Sequence, residues 1–131
     1  RYIEAVKLIL HLASSFTEYD IDDSDGVIMG IYSRCEEIIS LVIRLCSEKE
    51  EEKIFQDVVY EIDNNNDEYG YYKGFLDRLL FNQFKSEKSL KEILKIVNSR
   101  IKSLSGDKED SFSQFYFKII LSAKLICRIM K

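Results

Sequence analysis

Proline and tryptophan are both absent from the 131 residues, glycine occurs five times and histidine once. Proline breaks helix interiors and recurs in turn-rich β-proteins, so a chain without it favours long helices. A single histidine, His11, offers no ligand set for zinc, which draws on several His or Cys side chains. Gly70 and Gly74 stand apart with no strand pattern ahead of them, which leaves no glycine-rich phosphate loop. Long apolar runs are missing as well. The stretch from Ile38 to Ile43 stops at Arg44, and that from Ile119 to Cys127 is interrupted by Lys124. Neither approaches the roughly 20 residues of a membrane-spanning helix.

The three cysteines, Cys35, Cys46 and Cys127, are odd in number and show no CxxC spacing. On one helix Cys35 and Cys46 would lie roughly 16 Å apart, beyond the roughly 7 Å Cα separation of a disulfide. All three are expected as reduced, mostly buried thiols in an intracellular, reducing compartment, cytoplasm or nucleus. The first residues, Arg1-Tyr2-Ile3-Glu4, show neither an initiator methionine nor the layout of a signal peptide, and the chain is read as a fragment of a longer protein.

What the chain does contain is globular in balance: 46% apolar and 32% charged residues, enough for one compact helical domain over residues 1–131. Apolar residues recur at helical spacing. A first helix, from about Tyr2 to Phe16, carries Tyr2, Val6, Ile9, Ala13 and Phe16 on one face and His11 on the other. The run from Asp20 to Gly26 is a turn. From Val27 to Cys46, Ile28, Ile31, Cys35, Ile38, Val42 and Leu45 form the most regular stripe, which predicts the central helix, its seam sealing an intramolecular core rather than a dimer.

Ser47 with Glu50 matches a capping box and opens a third helix on Ile54, Phe55, Val58, Val59 and Ile62, ending in the loop Asp63–Asp67. A fourth, from about Gly70 to Phe84, carries Tyr72, Phe75, Leu76, Leu79 and Leu80. Ser89 with Glu92 suggests a second box, opening a helix on Leu90, Ile93, Leu94, Val97, Ile101 and Leu104. After the turn Ser105-Gly106-Asp107, Ser111 with Gln114 suggests a third, opening a helix on Phe112, Phe115, Tyr116, Ile119, Ile120, Ala123, Cys127 and Met130. The expected fold is all-α, a single compact bundle of about six helices. The alternative is a HEAT-like array of three helical hairpins starting near residues 1, 48 and 88, although no motif recurs at that spacing.

No arrangement of residues calls for catalysis, a cofactor or a metal. Read as an EF-hand with Gly26 at its sixth position, the Asp20 loop places Ile21 where the first ligand belongs and Tyr32 where a bidentate glutamate belongs. The loop Asp63–Asp67 lacks a turn glycine and has Gly74 at the closing position. His11 sits in polar phase, away from any cysteine it could activate. Neighbouring carboxylates such as Glu36-Glu37 diverge around a helix.

Charge and aromatics rise above this background. Residues 1–70 hold 17 acidic and 6 basic side chains, a net of −11, while residues 71–131 hold 6 and 13, a net of +7. Such asymmetry acts on association rate and specificity. Lys88, Lys91, Lys95 and Lys102 fall on one face of the fifth helix, a stripe for an acidic surface or phosphate backbone, or an ordinary solvated face. Tyr69, Tyr71 and Tyr72, beside Gly70 and Gly74, suit an interface anchor or simply close the loop.

The leading expectation is a non-catalytic protein–protein interaction or scaffolding module, an adaptor whose groove or Tyr69–Phe75 patch receives a partner segment, an amphipathic helix or an acidic surface. A nucleic-acid-binding helical domain using the four lysines comes second. With its isoleucine- and lysine-rich, tryptophan-free composition, the chain resembles, in class alone, the small helical bundles of viral Bcl-2-like regulators; the Asn-Trp-Gly-Arg signature of cellular Bcl-2 relatives has no counterpart here. The sequence leaves the oligomeric state open.

Overall fold

A computed structural model describes residues 1–15, 26–65, 70–103 and 108–130, and side chains in the last stretch from residue 114 onward. All the regular structure among them is helical: α1 (Tyr2–Ser14), α2 (Val27–Leu45), α3 (Glu48–Asn64), α4 (Tyr71–Asn82), α5 (Glu87–Ser103) and α6 (Lys108–Ile129). The expected all-α class and its six helices are what form. The chain divides into two compact units, Arg1–Gln83 and Phe84–Lys131.

In the first unit α1 packs on α2 and α3, and α4 also packs on α2 and α3, so the four helices close into a bundle with α1 and α4 at opposite corners. The most buried helix is α4, which sinks Tyr72, Phe75, Leu76, Leu79, Leu80 and Phe81 within 12 residues. This corrects the expectation that α2 is central. The α2 stripe is rotated from its predicted centre: Ile28 and Val42 are buried as expected, but Tyr32, Ile39 and Ile43 join them, while Ile38 is 49% exposed and Leu45 is exposed too. The cause is Tyr32, whose ring stacks on Phe75 at 5.2 Å and whose hydroxyl donates to the Ala13 carbonyl at 3.1 Å. A large ring with a satisfied hydroxyl outweighs a regular aliphatic spacing. On α1 the buried set is Val6, Leu10 and Ala13; Phe16 lies outside the described residues.

The capping box that opens α3 is present in full: Glu50 N–H donates to Ser47 Oγ at 3.2 Å, and Ser47 N–H donates to Glu50 Oε1 at 3.0 Å. Those bonds also hold the Glu50 carboxyl below its usual range. Behind the box, Ile54, Phe55 and Val58 fill the core.

The second unit pairs α5 with α6. Its cap corrects the sequence reading. α5 begins at Glu87, directly after its cap Ser86, whose Oγ accepts from Ser89 N–H at 3.1 Å and donates to Ser89 Oγ at 2.8 Å. Ser89 is thus a buried third-position residue instead of a cap. The earlier start places Glu87 in the first turn, where a negative charge suits the helix dipole. α6 likewise begins at Lys108, so Ser111 falls inside the helix and not at its end. Leu90, Ile93 and Val97 of α5 and Leu121 of α6 are buried; Leu104 and the turn 105–107 lie outside the described residues.

The weight of these contacts can be measured by urea unfolding. Leu79→Ala, at a fully buried site, is expected to cost about 2–5 kcal/mol. Ser47→Ala is expected to cost about 1 kcal/mol through the lost cap. Leu41→Ala, at an exposed α2 position, is expected to stay within about 0.5 kcal/mol of the wild type.

Candidate protein-docking site

The aromatic patch does not assemble as a surface. Tyr69 lies outside the described residues, and Tyr71 is 47% exposed at the start of α4. Tyr72 is only 2% exposed: its hydroxyl lies 2.8 Å from Glu61 Oε2, to which it donates, and 3.4 Å from the Leu10 carbonyl. Its ring packs tilted against Phe75 at 6.1 Å. Tyr72 is therefore a core strut of the first unit and not an interface anchor, because the helix that begins at Tyr71 turns its next residue inward. Burial, then the hydrogen bond and charge of Glu61, hold the Tyr72 hydroxyl well above the ordinary tyrosine range.

The lysine stripe does assemble. Lys88, Lys91, Lys95 and Lys102 are all exposed along one line of α5. Two of them have acidic neighbours on the same helix: Lys91 Nζ lies 2.8 Å from Glu87 and Lys95 Nζ lies 3.1 Å from Glu92. Exposed pairs of this kind contribute little to stability, and they dilute the stripe's field.

The residues examined for chemistry remain dispersed. His11 is exposed on α1. Cys35 and Cys46 are half-buried free thiols, and desolvation raises both pKa values, with Glu51 and Glu50 adding to the effect at Cys46. Raised thiols are poor nucleophiles. Cys127 is exposed, contrary to the expectation of burial. Among the described residues no group of three or more His, Cys, Asp or Glu is placed to hold a metal ion, and the turn from Asp20 to Asp25 lies outside them. In the first unit a cleft of ≈ 430 Å³ is lined by Lys7, Leu10, Asp57, Tyr60 and Glu61. Desolvation raises the Asp57 carboxyl, and Lys7 and Lys53 counter it. A second cleft, of ≈ 390 Å³, contains Glu36, whose carboxylate is occupied by Arg78 at 3.2 Å and Gln83 at 3.5 Å.

The surface the sequence reading missed is on α6. Phe115, Tyr116, Ile119, Ile120, Ala123, Cys127 and Met130 were expected to face the core, with Phe112, whose side chain lies outside the described set. Ile120 is half-buried; the other six are exposed, Ile119 at 69% and Met130 at 82%, together with Ile126 and Ile129. The buried α6 residue is Leu121, on the opposite side of the helix. At 100° per residue, Ile129, Phe115, Ile126, Ile119, Met130, Ala123, Tyr116 and Cys127 sweep almost half the circumference without a charged residue among them. The signal was present in the sequence as a second apolar set, Phe117, Leu121 and Leu125, at helical spacing.

The Tyr72 hydroxyl makes a pH-dependent prediction. Its pKa is raised in the folded state, so its stabilising contribution is complete below the unfolded value of about 10 and is lost as pH rises beyond it. Tyr72→Phe is expected to cost about 1 kcal/mol at pH 7, and the gap between wild type and variant should narrow between pH 9 and pH 11 by urea unfolding, counting only pH values around the ordinary tyrosine range. A gap that stays constant would show the hydroxyl titrating normally. Comparison of the chain with protein-family models, with curated proteins and with solved structures returned no match.

Proposed function

We propose that the chain is a non-catalytic protein–protein interaction module, an adaptor or scaffold element, and that it docks its partner on the outward face of α6. The observation that carries this reading is the uncovered apolar surface of Phe115, Tyr116, Ile119, Ile126, Ile129 and Met130 on a single helix. Contiguous apolar surface of this kind marks interaction sites. The scattered carboxylates and raised thiols described above favour binding over catalysis. Three free cysteines suit a reducing compartment such as the cytoplasm or nucleus.

A second reading, contact with a nucleic-acid backbone, draws on one specific observation. The second unit holds 11 basic and 5 acidic side chains, a net of +6, and its four α5 lysines are exposed. The α6 reading is preferred because two of those lysines already face glutamates, whereas nothing among the described residues covers the apolar face.

Affinity capture followed by identification, purification and titration of the captured partner separates the two. With Ile119→Glu/Ile126→Glu, binding of the purified partner is expected to weaken at least about 100-fold. With Lys91→Glu/Lys95→Glu it should hold, and raising salt from about 50 to 200 mM should change the affinity only a few-fold. Lysine-dependent binding that collapses over that salt range would instead establish the phosphate-backbone reading.

A further inference from the structure

We infer that the occupant of the α6 face is a second copy of this chain, α6 packing antiparallel on α6 about a two-fold axis at Ala123. The inference rests on the reading of α6 as a docking surface and adds the partner. Tyr116, Ile119, Ala123, Ile126 and Met130 follow one another in steps of three, four, three and four, the spacing of a helix–helix seam. All five are exposed, and Leu121, the residue α6 buries, stands on the opposite side. A seam with heptad spacing asks for another helix; a bilayer surface asks for no register.

Charge then selects the kind of helix. The positions flanking the seam are Phe115, Ser122 and Ile129 on one side and Ile120 and Cys127 on the other, all uncharged. Lys118, Lys124 and Arg128 project away from it, so two α6 helices meet without bringing like charges together. For the same reason an acidic partner helix would find no cation at the seam to recognise. An anionic bilayer is disfavoured further by the first unit, which holds 18 acidic and 8 basic side chains for a net of −10.

The seam is also complementary to its own reversed copy. A two-fold axis at Ala123 places Tyr116 against the second copy's Met130, a favourable sulfur–aromatic pairing. It places Ile119 beside Cys127 and Ile120 beside Ile126, and it brings the two Ala123 methyls together where the helices cross most closely. Isologous contacts of this type are the commonest in soluble oligomers. The exposed parts of the six large apolar side chains amount to roughly 700 Å² per copy, close to the roughly 800 Å² per partner of a standard interface.

Sedimentation equilibrium of the purified chain from about 1 to 100 μM tests this, with a mass rising to that of two chains as the expected result. Ala123→Glu sets two carboxylates on the axis and should raise the dimer dissociation constant about 100-fold or more. Lys95→Glu should leave it unchanged. Circular dichroism checks that helicity is kept, and Ile126→Glu gives the same reading should Ala123→Glu unfold. Under mild oxidation Ile119→Cys should yield a disulfide-linked dimer through Cys127. The wild type should not, since the antiparallel pair sets its two Cys127 residues about 12 Å apart along the axis. A chain that stays monomeric at 100 μM, or a dimer indifferent to both glutamates, overturns the inference. If that monomer still binds a different purified protein in an Ile119- and Ile126-dependent way, self-pairing alone falls and the docking surface stands. If it instead only co-sediments with phosphatidylcholine–phosphatidylserine vesicles, both readings fall.

Discussion

Phe75 and the two tyrosines packed on it hold the first unit together, because this one cluster touches all four of its helices. Tyr32 comes from α2, Phe75 and Tyr72 from α4; the Tyr32 hydroxyl is bonded to Ala13 of α1, and that of Tyr72 to Glu61 of α3 and Leu10 of α1. Apolar burial supplies the drive but is non-directional. The hydroxyls supply the direction: a buried tyrosine left without an acceptor would carry a desolvation penalty of about 1–3 kcal/mol. Each helix is thereby fixed in rotation as well as in position. The outward turn of Ile38 and Leu45 follows from this, since α2 cannot bury both them and the ring of Tyr32.

The same cluster explains where the sequence could be read. On α4 every residue of the predicted stripe is buried, because apolar side chains and helical phase agree and no competing face exists. On α2 apolar residues lie to both sides of the stripe, so periodicity names a sector but not its centre; the tyrosine hydroxyl decides, and its acceptor is 19 residues away. The caps divide similarly. Ser47 has one partner at the right spacing, Glu50. Ser86 and Ser89 are themselves three apart, so Ser89 is both a plausible cap by spacing and the third residue of the true cap. Tyr72 was offered both to the core stripe of the fourth helix and to the aromatic patch: beside Gly70 and Tyr71 its neighbours look like a loop, and its helical phase with Phe75 and Leu79 is the signal that holds.

The charge division read from the sequence at residue 70 persists across the structural boundary. With the boundary at Gln83, the first unit carries −10 and the second +6. Much of the local field is spent on local pairs: Arg78 of α4 faces Glu36 of α2, and within α5 Lys91 faces Glu87 and Lys95 faces Glu92. What remains steers encounters over distances of about a Debye length, roughly 8 Å at physiological salt. It can favour an approach without determining a docked geometry.

On the proposed reading, docked geometry is a matter for α6. A helix with apolar residues on two opposed sides needs two neighbours, since each exposed stripe forgoes burial. α5 covers the Leu121 side and leaves the side of Ile119 and Ile126 open. The candidate surface was therefore legible in composition, as too many apolar residues for one neighbour, yet not in phase, because two opposed stripes fit a single packing partner equally well. Leu121 and its flanking residues won the intramolecular face. The side that lost is longer, carries no charge, and is centred on alanine, the smallest side chain along it. In the pair proposed above, two such helices would approach closely at that point and lock on the isoleucines to either side, the unsatisfied face serving as its own complement.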